Sequence, residues 1–438
     1  MVPKKTLPRV AKSYPSPETS IDNLSDDQTR SETNAFDLPG LPPKAECNEL
    51  VKQYSTTIHP LIPIVNLERF FECYSNPTRN DPIFVLQFIT VIYSSIAITK
   101  MPSEQLIRLL EKQLEHATPI QKCESLVVLL FVQPKNPFGS VCSLVRLAYS
   151  LNLHRDPILF HNITNKQSIQ YYRALWWSVL QLDCIFSLSN DLPSTVLHGQ
   201  YDTLRPDEYI RETQKATLDP YIAFANTISQ WCACSSSLWN KKYALHPISD
   251  QDIKSSENEI QDFALYCSST IQSLTNDSQL QTIQLQMMTS VLMSLSDRLK
   301  LILLLLREKT RSIAFLPPDN NLIQSLLTPI SPMFSWYTFF QPFQISVSLF
   351  RSVLSQIRHG VVPIDTVLLL QRALQCTQQS PLKKLFEELW GDVLANKIGG
   401  CRLKSTDCSG FAKNPIEFNK AYFDSQLIRI TNNCGGIF

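Results

Sequence analysis

FGSVCSLVRLAYSLNLHRDP, residues 138–157, and YYRALWWSVLQLDCIFSLSNDLP, residues 171–193, lie on either side of a short polar spacer. In the first stretch Val141, Leu144, Val145, Ala148 and Leu151 recur at helical spacing, which predicts a helix over 139–151 with one apolar stripe. The second predicts a helix over 168–188 that is apolar nearly all round, interrupted only by Arg173, Ser178, Gln181, Asp183 and Ser187. A helix of that kind belongs at the centre of a domain. In LHRDP, Leu153 is expected to pack, Arg155 and Asp156 to cap or pair, and Pro157 to stop the helix, since proline has no backbone N–H to donate. Trp176 and Trp177 are expected in the core, given the area each buries. Asp183 shares a helical face with Trp176 and Leu180, so its carboxylate is expected to be buried and to need a partner. Arg146 or Arg173 is the expected cation, locking the two helices together.

The same periodicity extends outward. Helices are predicted at 82–99, 103–117 and 120–132, broken at Pro102, Pro119 and the prolines of 134–137, with Ser103 as an N-cap. Before them, Pro42 and Pro43 suit a helix start, and Leu50, Val51 and Tyr54 follow helical spacing. Pro60 and Pro63 should end that helix, and Leu67, Phe70, Phe71 and Tyr74 start another. Later helices are predicted at 219–244, 251–275, 278–311, 320–328, 335–358, 363–377 and 381–396. Only 10 glycines are present, five of them in the last forty residues, so the body is poor in the residue that serves tight hairpins. The expected fold class is all-α: one large multi-helix domain over 41–398. It is expected to follow a disordered segment over 1–40, rich in Pro, Ser, Thr, Asp and Asn, and to precede an irregular tail over 399–438. Lys4, Lys5, Arg9 and Lys12 are a loose basic group in the first segment, read as part of a solvated tail.

Composition excludes several function classes. A formal net charge of +1 gives no support for nucleic acid as a direct partner. Twelve cysteines lie without framework spacing and the N-terminus has no apolar signal core, so the thiols are expected to be reduced, buried small hydrophobes. The segment 83–99 carries no charge, yet it contains Gln87, Thr90, Ser94 and Ser95 and is flanked by Asp81 and Lys100. It is read as a buried core helix, so no membrane partner is expected. There is no G-x-S-x-G, no P-loop, no H-E-x-x-H and no G-x-G-x-x-G. His154 beside Asp156 could suggest a base and its orienter, but nothing supplies a nucleophile or a cofactor loop, so no enzyme is expected.

The pattern of Phe138, Arg146, Ala148, Leu153, His154, Arg155, Asp156 and Pro157, followed by Arg173, Leu175, Trp176, Trp177, Asp183 and Pro193, resembles the signature of the middle regulatory domain of fungal zinc-cluster transcription factors. The resemblance is specific over 138–193 and diffuse over the rest of 41–360. Cys142 stands where that family usually has glycine, Tyr172 and Ala174 replace two of three arginines, and Asp191 replaces the glycine of G-x-P. The resemblance implies an all-α regulatory domain acting in transcriptional control in the nucleus. It also implies protein partners of the transcription machinery, homodimer contacts and, in some members, a small-molecule effector.

The family's cluster holds two zinc ions on six thiolates, including two C-x2-C pairs. This chain has no C-x2-C: Cys232 and Cys234 form a lone C-x-C, and Cys401 and Cys408 lack partners. No cofactor is therefore expected, and DNA contact is expected to come from a module absent from this sequence or from a partner. The signature residues are expected to be structural. A helical interaction scaffold of the same fold, with no role at promoters, is the alternative reading.

Overall fold

The helices begin and end where local chemistry dictates. A computed structural model of the chain describes residues 38–75, 82–133, 136–190, 192–197, 199–212, 215–245, 248–276 and 280–310. Pro43 caps α1 (Lys44–Gln53), whose backbone then widens into a π turn (Tyr54–Ile58) closed by the His59 amide donating to the Tyr54 carbonyl. The hydroxyls of Thr56 and Thr57 donate back to the Lys52 and Gln53 carbonyls there, the type of competing bond that perturbs a regular ladder. Proline at 60 and 63 was expected to end an ordinary helix; the helix ends at Gln53 and the π turn carries the chain to His59.

Next come α2 (Leu67–Ser75), α3 (Pro82–Ala97), α4 (Glu104–His116) and α5 (Pro119–Val132). The Ser103 hydroxyl accepts from the Leu106 amide at the start of α4, and Thr118 with Gln121 forms a capping box at α5. The charge-free segment is α3, and its polar groups face protein: Ser95 donates to the Leu50 carbonyl at 2.8 Å and Thr90 to Ser125 at 3.2 Å. Among the described residues no helix is long and apolar enough to cross a membrane.

Then follow α6 (Val141–Ser150) and α7 (Lys166–Asn190). Pro157 does not stop α6. Asn152 does so five residues earlier by taking φ 55°, with the Leu153 amide bonded to the Ala148 carbonyl and the Asn152 amide to the Tyr149 carbonyl. This is a Schellman closure, and asparagine tolerates the left-handed conformation it needs. Beyond α7 an extended strap leads to β1 (Tyr209–Glu212) and β2 (Lys215–Leu218), a short antiparallel hairpin that the helical periodicity does not announce. The chain ends its described part in α8 (Pro220–Lys241), α9 (Asp250–Asn276) and α10 (Thr282–Thr310). The helices expected at 320–328, 335–358, 363–377 and 381–396, the C-terminal tail and nearly all of the N-terminal segment lie outside the described residues.

One contiguous core runs from Cys47 to Leu306, and the class is all-α, with a single two-stranded departure among the described residues. Helix α7 stands at its centre, packing on α5 and α6 on one side and on α8 on the other. Leu175, Val179 and Leu182 of α7 and Phe224 and Ile228 of α8 are fully buried, and burying each such side chain contributes roughly 1.5–3 kcal/mol.

Candidate functional site

His154 to Pro157, Arg173, Trp176 and Trp177 meet at one corner, where α6 ends, α7 begins and residues 199–208 of the strap, whose other described part is 192–197, cross them. Asp156 is its centre. Its Oδ2 accepts from Arg173 Nε at 3.0 Å, from Arg173 Nη2 at 3.0 Å and from the Leu204 amide at 3.2 Å, while Oδ1 accepts from the Ile158 amide at 3.1 Å. The Asp156 and Arg173 side chains are 2% and 6% exposed, so this ion pair is desolvated and held by further hydrogen bonds. Arg155 points outward to Asp202 at 2.9 Å, and the Asp156 amide donates to the other oxygen of Asp202 at 2.7 Å. What little burial Asp202 has opposes its charge, but the Asp156 amide and Arg155 outweigh it and hold the carboxyl below the ordinary range.

The strap is stitched down along its length. The Asp202 amide donates to the His154 carbonyl, Thr203 Oγ1 to the Leu153 carbonyl at 2.7 Å, and Trp177 Nε1 to the Leu204 carbonyl at 3.1 Å. Gln170 and the Asp207 amide and carboxylate exchange two bonds of 2.7 Å. At the far end Trp239 Nε1 donates to the Leu192 carbonyl and the Ser194 amide to Asn240.

Asp183 is buried as expected, but among the described residues no cation pairs with it. Arg146 is exposed and Arg173 is taken by Asp156. The Val196 amide donates to Asp183 Oδ2 at 3.0 Å, and Oδ1 has no hydrogen-bond partner among the described residues. Burial pushes the Asp183 carboxyl above its ordinary range, against the opposing pull of the Val196 amide and of the hydroxyl and amide of Thr195. The expected lock between two helices is therefore a lock between a helix and the strap. Backbone amides replace the arginine because an extended segment has free N–H groups to give.

The remaining signature residues take structural places. Phe138 meets Tyr93 edge-on at 5.2 Å, Ala148 is fully buried beneath the α6 closure, Pro157 is buried and Pro193 is exposed. Trp176 is fully buried against Tyr149, His154 and Tyr201, and Trp177 is half-buried against Tyr201. His154 sits against Tyr149 at 4.8 Å, and burial followed by the nearby Arg155 charge lowers its pKa. The carboxylate of Asp156 turns to Arg173, Ile158 and Leu204 and not to His154, so the two do not form a base and its orienter. A third buried carboxylate, Glu124, carried no signal in the sequence. It accepts from Gln87 at 2.7 Å and Tyr171 at 2.5 Å, and burial raises its pKa against those bonds.

Among the described residues no three His, Cys, Asp or Glu side chains are grouped to hold a metal ion, and no disulfide forms. Cys232 is buried beside Cys184, and burial with that neighbour pushes its thiol well up; Cys234 is half-buried. Cys401 and Cys408 lie outside the described residues.

No protein-family profile matches the chain, and no solved structure matches it. The chain is distantly similar to fungal regulators. It is 33% identical over 85 residues to cutinase transcription factor 1 alpha of Fusarium vanettenii, a stretch covering 17% of this chain and 9% of that protein. It is 26% identical over 172 residues to the acetamidase regulatory protein of Aspergillus fumigatus, covering 36% and 22%. With transcription factor opdR of Penicillium oxalicum the identity is 28% over 194 residues, covering 39% and 24%. The chain thus spans less than a quarter of the length of these relatives.

Proposed function

We propose that this chain is the regulatory portion of a fungal transcription regulator of the zinc-cluster class, acting in the nucleus. The observation that carries the reading is the similarity to fungal regulators over 172 and 194 residues. The signature corner supports it: Asp156, Arg173, Trp176 and Asp183 are engaged in holding the fold, with none offered to a substrate. The chain acts without catalysis of its own. DNA contact is supplied by a module outside this sequence or by a partner, since a net charge of +1 gives no electrostatic footprint for phosphate. Its partners are proteins of the transcription machinery, with a second copy of the chain and a small-molecule effector as further members of the class.

Fusion of the whole chain to an unrelated DNA-binding module tests this. Reporter output should change several-fold relative to the module alone, in at least some growth conditions. Unchanged output across varied carbon and nitrogen sources would overturn the reading in favour of a scaffold with no role at promoters. The purified chain should leave duplex DNA unshifted at physiological salt, and a sequence-preferring shift would refute indirect contact.

A further inference from the structure

Where the 61–64 turn, α7, α8 and Pro206 of the strap meet, the packing leaves a pocket with about 20 Å³ open to the centre of a water-sized sphere. One water needs roughly 10–15 Å³ by that measure and two to four polar partners. No charged residue lines the pocket, which rules out an ion as its natural occupant.

Two of its lining residues carry buried polar atoms without a hydrogen-bond partner among the described residues: Gln181 Nε2, a donor, and Asn226 Oδ1, an acceptor. Gln181 is 4% exposed and Asn226 2%, so bulk solvent does not serve them. The orientation of Asn226 is fixed, because its Nδ2 already donates to the Pro206 carbonyl at 2.8 Å and to Glu208 at 3.0 Å. Ser178 and Ser229 also line the pocket. Their hydroxyls donate to the Ala174 and Ala225 carbonyls within their own helices, which leaves only oxygen lone pairs for the pocket. The occupant must therefore be neutral, water-sized, and able both to accept and to donate.

We infer that the pocket binds one internal water, which accepts from Gln181 Nε2 and donates to Asn226 Oδ1. The water joins α7 to α8 where direct side-chain contact stops short. Through the second bond of Asn226 to Pro206, it also ties the strap into the same network.

A crystal structure of the full chain, at a resolution that shows ordered solvent, should contain a single peak about 2.7–3.2 Å from both atoms. An empty pocket, or the two amides in direct contact, would overturn the inference. In solution, oxygen-17 relaxation dispersion should count one long-lived water fewer in Gln181→Met than in the unaltered protein. Ala174→Val narrows the pocket and leaves both amides in place, and it should lose the same water. Equal counts in folded variants would overturn the assignment.

Discussion

Two buried carboxylates hold the strap, and they do it by opposite means. Asp156 is matched by a buried cation and by two backbone amides, four donor contacts in all. Asp183 has no cation among the described residues and relies on the Val196 amide with help from Thr195, leaving one oxygen without a partner among them. The first is a closed charge account in a dry site; the second is a carboxylate whose charge the protein tolerates poorly. Equal burial therefore does not mean equal dependence, because what matters is what removal strands behind.

The largest expected effect separates the two. Asp156→Ala leaves Arg173 buried and unpaired and should cost about 3–5 kcal/mol in chemical unfolding. The double variant Asp156→Asn with Arg173→Met should recover a large part of that loss. A single variant that unfolds at the same denaturant concentration as the parent would break the comparison at its stronger end.

Another buried ionisable group sharpens the contrast with pH. His59 is buried in the turn after α1, edge-on to Tyr221 at 5.8 Å, and burial lowers its pKa from 6.5 to about 4. The unfolded chain takes a proton near 6.5 and the folded one does not, so stability is full above that value and is lost as pH falls toward 4. The loss should be about 3 kcal/mol and should vanish in His59→Leu. Asp183 has the opposite sign: its raised pKa means the folded state holds a proton that the unfolded state has released. Its contribution is present below the ordinary carboxylate pKa of 3.8 and is lost as pH rises through the raised value. Unfolding followed from pH 4 to 8 should show the His59 slope, and a flat profile in the unaltered protein would refute it.

Smaller effects follow. Asn152→Ala puts a side chain with no local hydrogen bonding into the left-handed position that ends α6, and should cost roughly 1 kcal/mol, whereas Asn152→Gly should be nearly neutral. Smallest of all is Asp183→Asn, which keeps an oxygen for the Val196 amide and removes the poorly solvated charge. It should change stability at pH 7 by no more than about 1 kcal/mol. A loss as large as that of Asp156→Ala would mean that the two carboxylates are equivalent after all.

The helices were legible because their signals are local. Apolar stripes and proline breaks placed α3 to α6 and the centre of α7 within a few residues, and the serine cap of α4 could be read directly. The burial of Asp183 was legible for the same reason, from the face it shares with Trp176. Its partner was not, because a backbone amide has no letter of its own and any residue could have stood at Val196. The strap was missed since its bonds reach far along the chain, 50 residues between Thr203 and Leu153 and 46 between Ser194 and Asn240. The end of α6 was misplaced because proline is a loud signal and asparagine in a left-handed turn a quiet one. Glu124 was missed because a lone acidic residue in an apolar helix looks no different from one at a solvent edge.

The span of those strap bonds has a kinetic meaning. The bonds of Thr203 to Leu153, Leu204 to Asp156 and Ser194 to Asn240 each close a loop of more than forty residues, in a chain whose other contacts are mostly within or between successive helices. Such loops close late, since their entropy is recovered only once the docking surface exists. The α6–α7 corner should form first and the strap should settle on it afterwards. Pulse-labelled exchange would then protect the Asp202 and Leu204 amides after those of α7, and simultaneous protection would reject that order. The last step of folding would be the closing of a belt across a bundle already assembled.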